Sequence, residues 1–137
     1  DRGACHLRST FYKPELAGMI DPKQIEGKAA MFIDFEDRLT LFDAMILCKF
    51  YRDLYPWELL GEMISAATGI DGSRESLAAI ARNIALKARQ FNLREGMSAA
   101  DEMLPKPFHT PLEDSGAVIT EEEIDRLMED YQTLRKW

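Results

Sequence analysis

The sequence is poor in cysteine, in histidine and in strand-forming alternation, and it carries no excess of positive charge. Its two cysteines, Cys5 and Cys48, are too few for a disulfide framework, and neither belongs to a C-x-x-C pair. In a reducing compartment they are free thiols or metal ligands. Lysine and arginine number 17 against 24 acidic residues, for a net charge of -7, which removes the electrostatic basis for a general grip on nucleic acid or anionic lipid. No basic recognition helix offsets that balance, so a helical nucleic-acid binder is disfavoured. No apolar run approaches the ~20 residues that span a bilayer, and no secretory signal opens the chain. The expected setting is therefore cytoplasmic, without membrane or nucleic acid as partner. Alternating apolar and polar residues persist only around "GAVIT", and no Asn-Gly or Asp-Gly step joins two such runs. Internal repeats and low-complexity tracts are missing as well.

What is present is the composition of one globular domain: 137 residues, 46% hydrophobic and 30% charged. Segment 1–21, with Gly3, Pro14 and Gly18, reads as mostly irregular with a short helical turn after Pro14. Asp21 as N-cap and Pro22 at the first helical position open a predicted helix running to about Phe35 or beyond, its apolar residues Ile25, Ala29, Phe32 and Ile33 at helical spacing. Leu39 to Tyr51 is apolar nearly all round, which predicts the most central element. Pro56 and Gly69 bracket another helix. Ser73 caps the clearest one, with Leu77, Ile80, Ile84, Ala88 and Phe91 as its stripe and Gly96 as terminator. A turn or two follows over Ser98–Leu104, then a loop that Pro105, Pro107 and Pro111 keep irregular. Thr120 with Glu123 forms a capping box for a last helix, with Ile124, Leu127, Met128, Tyr131 and Leu134 as the inward stripe. The predicted fold is all-α: one domain over 1–137, an irregular N-terminal segment followed by a bundle of about five to six helices.

The run "LTLFDAMILCKF" places a carboxylate, Asp43, and a thiol, Cys48, in what reads as core. Two readings stand. A helix can tolerate one satisfied carboxylate and one packed thiol; alternatively, the thiol is a ligand and the carboxylate accepts hydrogen bonds from a bound organic group. His6, flanked by Cys5, Arg2 and Arg8, is either a solvated loop histidine or a group that exchanges a proton near neutral pH. A zinc site from Cys5, His6 and Cys48 is disfavoured, because adjacent ligands rarely converge on one ion and no fourth is suitably spaced. His109 among prolines has no evident partner and is expected to be exposed. The run Glu121–Glu123 is the acidic first turn of a helix, and Arg94 with Glu95 forms a surface pair or part of a helix-end network.

Four stretches together, "RGACHLRSTFYKPEL", "DAMILCKF", "RQFNLREGMSAADEMLPKPF" and "YQTLRKW", resemble the C-terminal region of the tungsten-containing aldehyde ferredoxin oxidoreductase family, across essentially the whole chain. "DAMILC" is similar to that family's D-x-x-G-L-C. The resemblance implies an enzyme oxidising aldehydes to carboxylic acids with ferredoxin as acceptor, at a tungsten (or molybdenum) bis-pterin beside a [4Fe-4S] cluster, with this chain the last of three domains. By position it implies Cys48 as cluster ligand, Asp43 as hydrogen-bond partner of a pterin, Leu47 packed beside the cofactor, and His6 near the metal as donor of a hydrogen bond or proton. Upstream domains of the same polypeptide, ferredoxin and an aldehyde are the implied partners, and a homo-oligomer stays open. The abrupt polar start likewise suggests a cut through a longer polypeptide.

The chain departs from the family pattern at Ile46, which stands where the family has glycine. In an unbroken helix Asp43 and Cys48 would diverge by roughly 140°, so a shared site needs a break, and a branched residue makes that break costlier. One thiolate also cannot hold a [4Fe-4S] cluster, which takes four; this chain alone is expected to bind neither cofactor and to be inactive. A non-catalytic helical module of the same family, serving interaction or regulation, is the alternative.

Overall fold

The computed structural model describes residues 5–137, apart from the side chain of His6. Six α-helices run in order: α1 (His6–Ser9), α2 (Tyr12–Leu16), α3 (Lys28–Ala44), α4 (Trp57–Thr68), α5 (Arg74–Arg94) and α6 (Glu121–Arg135). Short 3-10 helices span Lys49–Leu54, Ala99–Glu102 and Lys106–His109. Strands are absent among the described residues, so the all-α expectation holds. "GAVIT" forms no sheet: Ala117 O accepts from Leu112 N–H at 2.9 Å, and Gly116 N–H donates to Leu112 O at 2.8 Å, closing a tight loop.

The centre of the fold is α3, which packs against α1, α5, α6 and the Lys49–Leu54 helix. It corrects two expectations. The helix foreseen from 22 to about 35 or beyond and the central element over 39–51 are a single helix that begins later and ends earlier. Asp21 caps no helix, because its Oδ1 accepts from Lys23 N–H at 2.7 Å in a local turn. The chain then passes Gly27 at φ 77°, a left-handed conformation, immediately before α3 begins. The Lys28 ammonium reaches back to Glu15 at 2.8 Å and to Pro22 O at 2.5 Å, fastening the irregular entry to the helix start.

One side of α3 buries Leu39 and Phe42 against Leu60 and Ile64 of α4 and Leu77 and Ala81 of α5. Each large apolar side chain removed from water there contributes about 1.5–3 kcal/mol. The ends of α4 and α5 are those foreseen: Gly69 sits at φ 74° after α4, and Ser73 Oγ accepts from Ser76 N–H ahead of α5. The loop before α5 folds back on α4 itself: the backbones of Gly61, inside α4, and Gly72 meet so closely that a Cβ on Gly61 would lie 2.1 Å from Gly72 O.

The other side of α3 receives α6, whose capping box of Thr120 and Glu123 is formed as expected. The α6 stripe is less simple than its pattern: Leu134 is exposed, whereas Arg135 is buried. The Arg135 guanidinium donates to Asp37 Oδ1 at 2.6 Å and also to Glu36, whose carboxylate accepts from Tyr131 Oη–H at 2.8 Å. Burial raises the Asp37 pKa above the usual carboxylate value, outweighing the Arg135 hydrogen bond and charge, while the neighbouring Glu36 charge pushes the same way as burial. Both carboxylates in turn hold Arg135 firmly protonated against its own burial. One guanidinium thus serves two acids. Among the described residues no helix is long and apolar enough to cross a membrane.

Candidate functional site

Helix α3 does not run through "DAMILC". Its last carbonyls are closed by a hydrogen-bond pattern that turns the chain: Met45 N–H donates to Leu41 O at 2.9 Å, Ile46 N–H to Asp43 O at 3.2 Å, and Leu47 N–H to Phe42 O at 2.8 Å. The last two are the paired bonds of a Schellman ending, which needs a left-handed residue at its turn. That residue is Ile46, at φ 59°. The position where the family pattern has glycine is therefore the one that requires the glycine conformation, and the break occurs with isoleucine in place.

Cys48 follows in extended conformation, and its carbonyl accepts from Tyr51 N–H at 3.0 Å to start the Lys49–Leu54 helix. The core reading of this stretch is corrected accordingly. Residues 39–42 are buried, whereas Asp43, Ile46 and Cys48 are exposed. Leu47 is half-buried and packs on the core of Leu39, Phe42 and Leu60, pinning the turn from beneath.

The Asp43 carboxylate is held by two cations on one oxygen: Arg8 Nη1 at 2.7 Å and Lys49 Nζ at 2.8 Å from Oδ2. The Lys49–Leu54 helix is itself fastened, because Arg52 donates to Lys49 O at 2.7 Å and Arg38 to Arg52 O at 2.7 Å and Tyr55 O at 3.0 Å. In the chain around Cys48, Ile46 is 93% exposed and Phe50 80%, with Tyr51 and Leu54 also exposed.

His6 opens α1, the helix that carries Arg8; its side chain lies outside the described residues. Cys5 and Cys48 are both free thiols. His109, expected to be exposed and without a partner, is half-buried, its Nδ1 lying 2.8 Å from Ile119 O as a ring N–H donor would. Arg94 and Glu95 do form a surface pair, at 3.3 Å.

These residues fit the implied groups only in part. An exposed thiol at a pinned turn can ligate iron, and a carboxylate is the kind of acceptor that N–H donors of a heterocycle take. Among the described residues, however, no three His, Cys, Asp or Glu converge as a metal site. At this turn the described residues present one thiol, Cys48, and one ion-paired carboxylate, Asp43.

Sequence reasoning missed the partners of Asp43. Lys49 directly follows Cys48, and Arg8 lies two positions after His6, but no spacing rule links residues 8 and 43. It also missed a cavity of about 600 Å³ between α3, α5 and α6, lined by Phe32, Arg89, Leu127, Tyr131 and Trp137 and reached at one edge by Arg8. Trp137 stacks under the Arg89 guanidinium, 4.8 Å from the ring centre, and Arg89 pairs with Glu102.

The geometry joins a surface thiol and a clamped carboxylate at one helix break, and comparison with known proteins defines the class as oxidoreductase. The chain belongs to the aldehyde ferredoxin oxidoreductase family, matching over residues 1–137 the family model described as "Aldehyde ferredoxin oxidoreductase, domains 2 & 3". It is similar to the tungsten-containing aldehyde ferredoxin oxidoreductase of Thermococcus kodakarensis, 34% identical over 146 aligned positions that take in all of this chain and 24% of that protein. The Pyrococcus furiosus protein of the same name is 29% identical over 143 positions, again 100% of this chain and 24% of the relative. That of Pyrococcus abyssi is 35% identical over 111 positions, covering 77% of this chain and 18% of the relative. The chain thus spans about a quarter of the length of the curated relatives it matches. No solved structure matches it.

Proposed function

We propose that this chain is the C-terminal domain of a cytoplasmic enzyme that oxidises aldehydes to carboxylic acids and passes the electrons to ferredoxin. The observation that carries the reading is the presentation of Asp43 and Cys48 together at one surface helix break, in a chain that matches the family over its whole length. The net change is aldehyde plus water to carboxylic acid, two protons and two electrons. A tungsten (or molybdenum) bis-pterin would supply the two-electron chemistry, and a [4Fe-4S] cluster the single-electron path to ferredoxin.

The chain's own residues take distinct parts. Cys48 gives one thiolate to the cluster, and the remaining thiolates come from upstream domains of the same polypeptide. Asp43 accepts hydrogen bonds from the ring and amino N–H groups of a pterin, bonds strengthened by the carboxylate charge. Leu47, seated on the core, holds the backbone of the turn at a fixed height beside the cofactor. His6 donates a hydrogen bond or proton to the substrate carbonyl oxygen.

The test is metal analysis of the full-length polypeptide purified without oxygen. Tungsten or molybdenum with about four irons per chain, together with aldehyde-dependent reduction of ferredoxin, is the expected result. Loss of the irons in Cys48→Ser assigns the ligand. A stable, metal-free, inactive full-length protein would overturn the reading in favour of a non-catalytic module.

A further inference from the structure

We propose that Arg8 and Lys49 are positioning residues, which register the three candidate site residues against one another through a single oxygen of Asp43. The inference rests on the functional reading above for its consequence, but its geometry stands independently. Arg8 belongs to α1, the helix opened by His6. Lys49 begins the helix that directly follows Cys48. Asp43 lies one residue from the end of α3. Three separate pieces of backbone therefore meet at Asp43 Oδ2, which Arg8 contacts at 2.7 Å and Lys49 at 2.8 Å.

Both cations are well covered although their acceptor is not: the Arg8 and Lys49 side chains keep 15% and 12% of their exposure, against 34% for Asp43. Cations tucked under a surface carboxylate orient it outward, and their long side chains are already ordered by packing. A carboxylate so held has little torsional freedom left to lose when a ligand docks, which favours binding through preorganisation. The Lys49 contact also closes a loop from Asp43 to Lys49 across the left-handed Ile46, so it steadies the turn that presents Cys48. The Arg8 contact does the same for the four-residue α1 relative to the end of α3, on which it packs.

The geometry separates this role from a general contribution to folding. Neither contact lies in the apolar core, and ion pairs near the surface add little to global stability. Their loss should loosen the register while leaving the fold intact.

The experiment uses the full-length polypeptide with Arg8→Gln, Arg8→Lys, Lys49→Met and, as a control on the functional reading, Cys48→Ser. Hydrogen exchange at segments 6–9 and 43–49 is read alongside iron and tungsten content, kcat and KM. For Arg8→Gln and Lys49→Met the expected result is several-fold faster exchange in those two segments, nearly unchanged exchange in 74–94, and roughly two- to tenfold loss of pterin-metal retention, the factor for ordering one mobile side chain. The fall should appear in kcat per chain more than in KM, and Arg8→Lys should recover most of it. Unchanged local exchange in both variants would overturn the clamp. Equal loosening of 74–94 would also overturn it, because it would make the contacts merely structural. If Cys48→Ser keeps its four irons while the local exchange behaves as expected, the functional reading fails and the clamp stands.

Discussion

Ile46 is a branched residue held at φ 59° with its side chain almost wholly in solvent. Left-handed conformation costs an L-residue roughly 1–2 kcal/mol, and here no buried contact of the side chain offsets it. Glycine would remove most of that strain at the cost of a more flexible unfolded chain. Ile46→Gly should therefore stabilise the protein by about 0.5–1 kcal/mol, read as a higher midpoint in urea with an unchanged slope. A drop in midpoint would mean that the exposed isoleucine is covered by something in solution. The opposite sign is expected at Gly61. A Cβ there would sit 2.1 Å from Gly72 O, a backbone atom that cannot swing aside. Gly61→Ala should destabilise by about 1–3 kcal/mol as the loop at Gly72 is pushed off α4, seen as a lower thermal midpoint.

At the scale of elements, the joint between α3 and α6 depends on Arg135 between Glu36 and Asp37. Removing this buried cation leaves Glu36 and Asp37 without the guanidinium they share, with Arg82 the remaining cation acting on Asp37, so Arg135→Met should cost about 3–5 kcal/mol at neutral pH. The pH dependence follows from Asp37, whose folded pKa is raised above the ordinary 3.8, chiefly by burial. A raised carboxyl contributes stability while protonated and loses that contribution as pH rises through its folded value. Without Arg135 the raise should grow, so the stability gap between variant and parent should narrow as pH is lowered from 7 toward 4. Denaturant titrations at several pH values test this; a gap that widens on acidification would contradict it.

The helix ends show what the sequence could and could not reveal. Ser73, Gly69 and the Thr120–Glu123 box act locally, through hydrogen bonds or backbone conformations within a few residues, and their helices lay where the pattern put them. Asp21 and Pro22 carried the same local signal, yet the Asp21 carboxylate is used in a turn and α3 starts at Lys28. Local chemistry offered both outcomes, and long-range fastening by the Lys28 ammonium accompanies the observed one. The site was legible as residue types, but not as a surface. An apolar run such as "FDAMILCKF" looks the same whether it faces a core or an outside partner, and the Arg8–Asp43 pairing joins residues with no periodic relation.

For the whole molecule, the decisive contrast is between a well-buried core and the exposed apolar side chains that flank Cys48 in the chain. Leu39, Phe42 and Leu60 are fully buried, whereas Phe50 keeps 80% of its exposure beside a thiol that can contribute one of the four ligands a [4Fe-4S] cluster takes. Under the function proposed above, both features would follow if these exposed side chains were the place where upstream domains dock. Two outcomes follow together. This chain alone, reconstituted with iron and sulfide, should show neither a stoichiometric cluster spectrum nor aldehyde oxidation. Phe50→Ser should change its own stability by less than about 0.5 kcal/mol, since exposed positions outside special contacts usually fall in that range. In the full-length polypeptide the same substitution should cost about 1.5–3 kcal/mol, the value of a phenylalanine taken out of water. Thermal and denaturant midpoints measured in both contexts decide the matter, and an equal effect in the two would mean that nothing docks on this face.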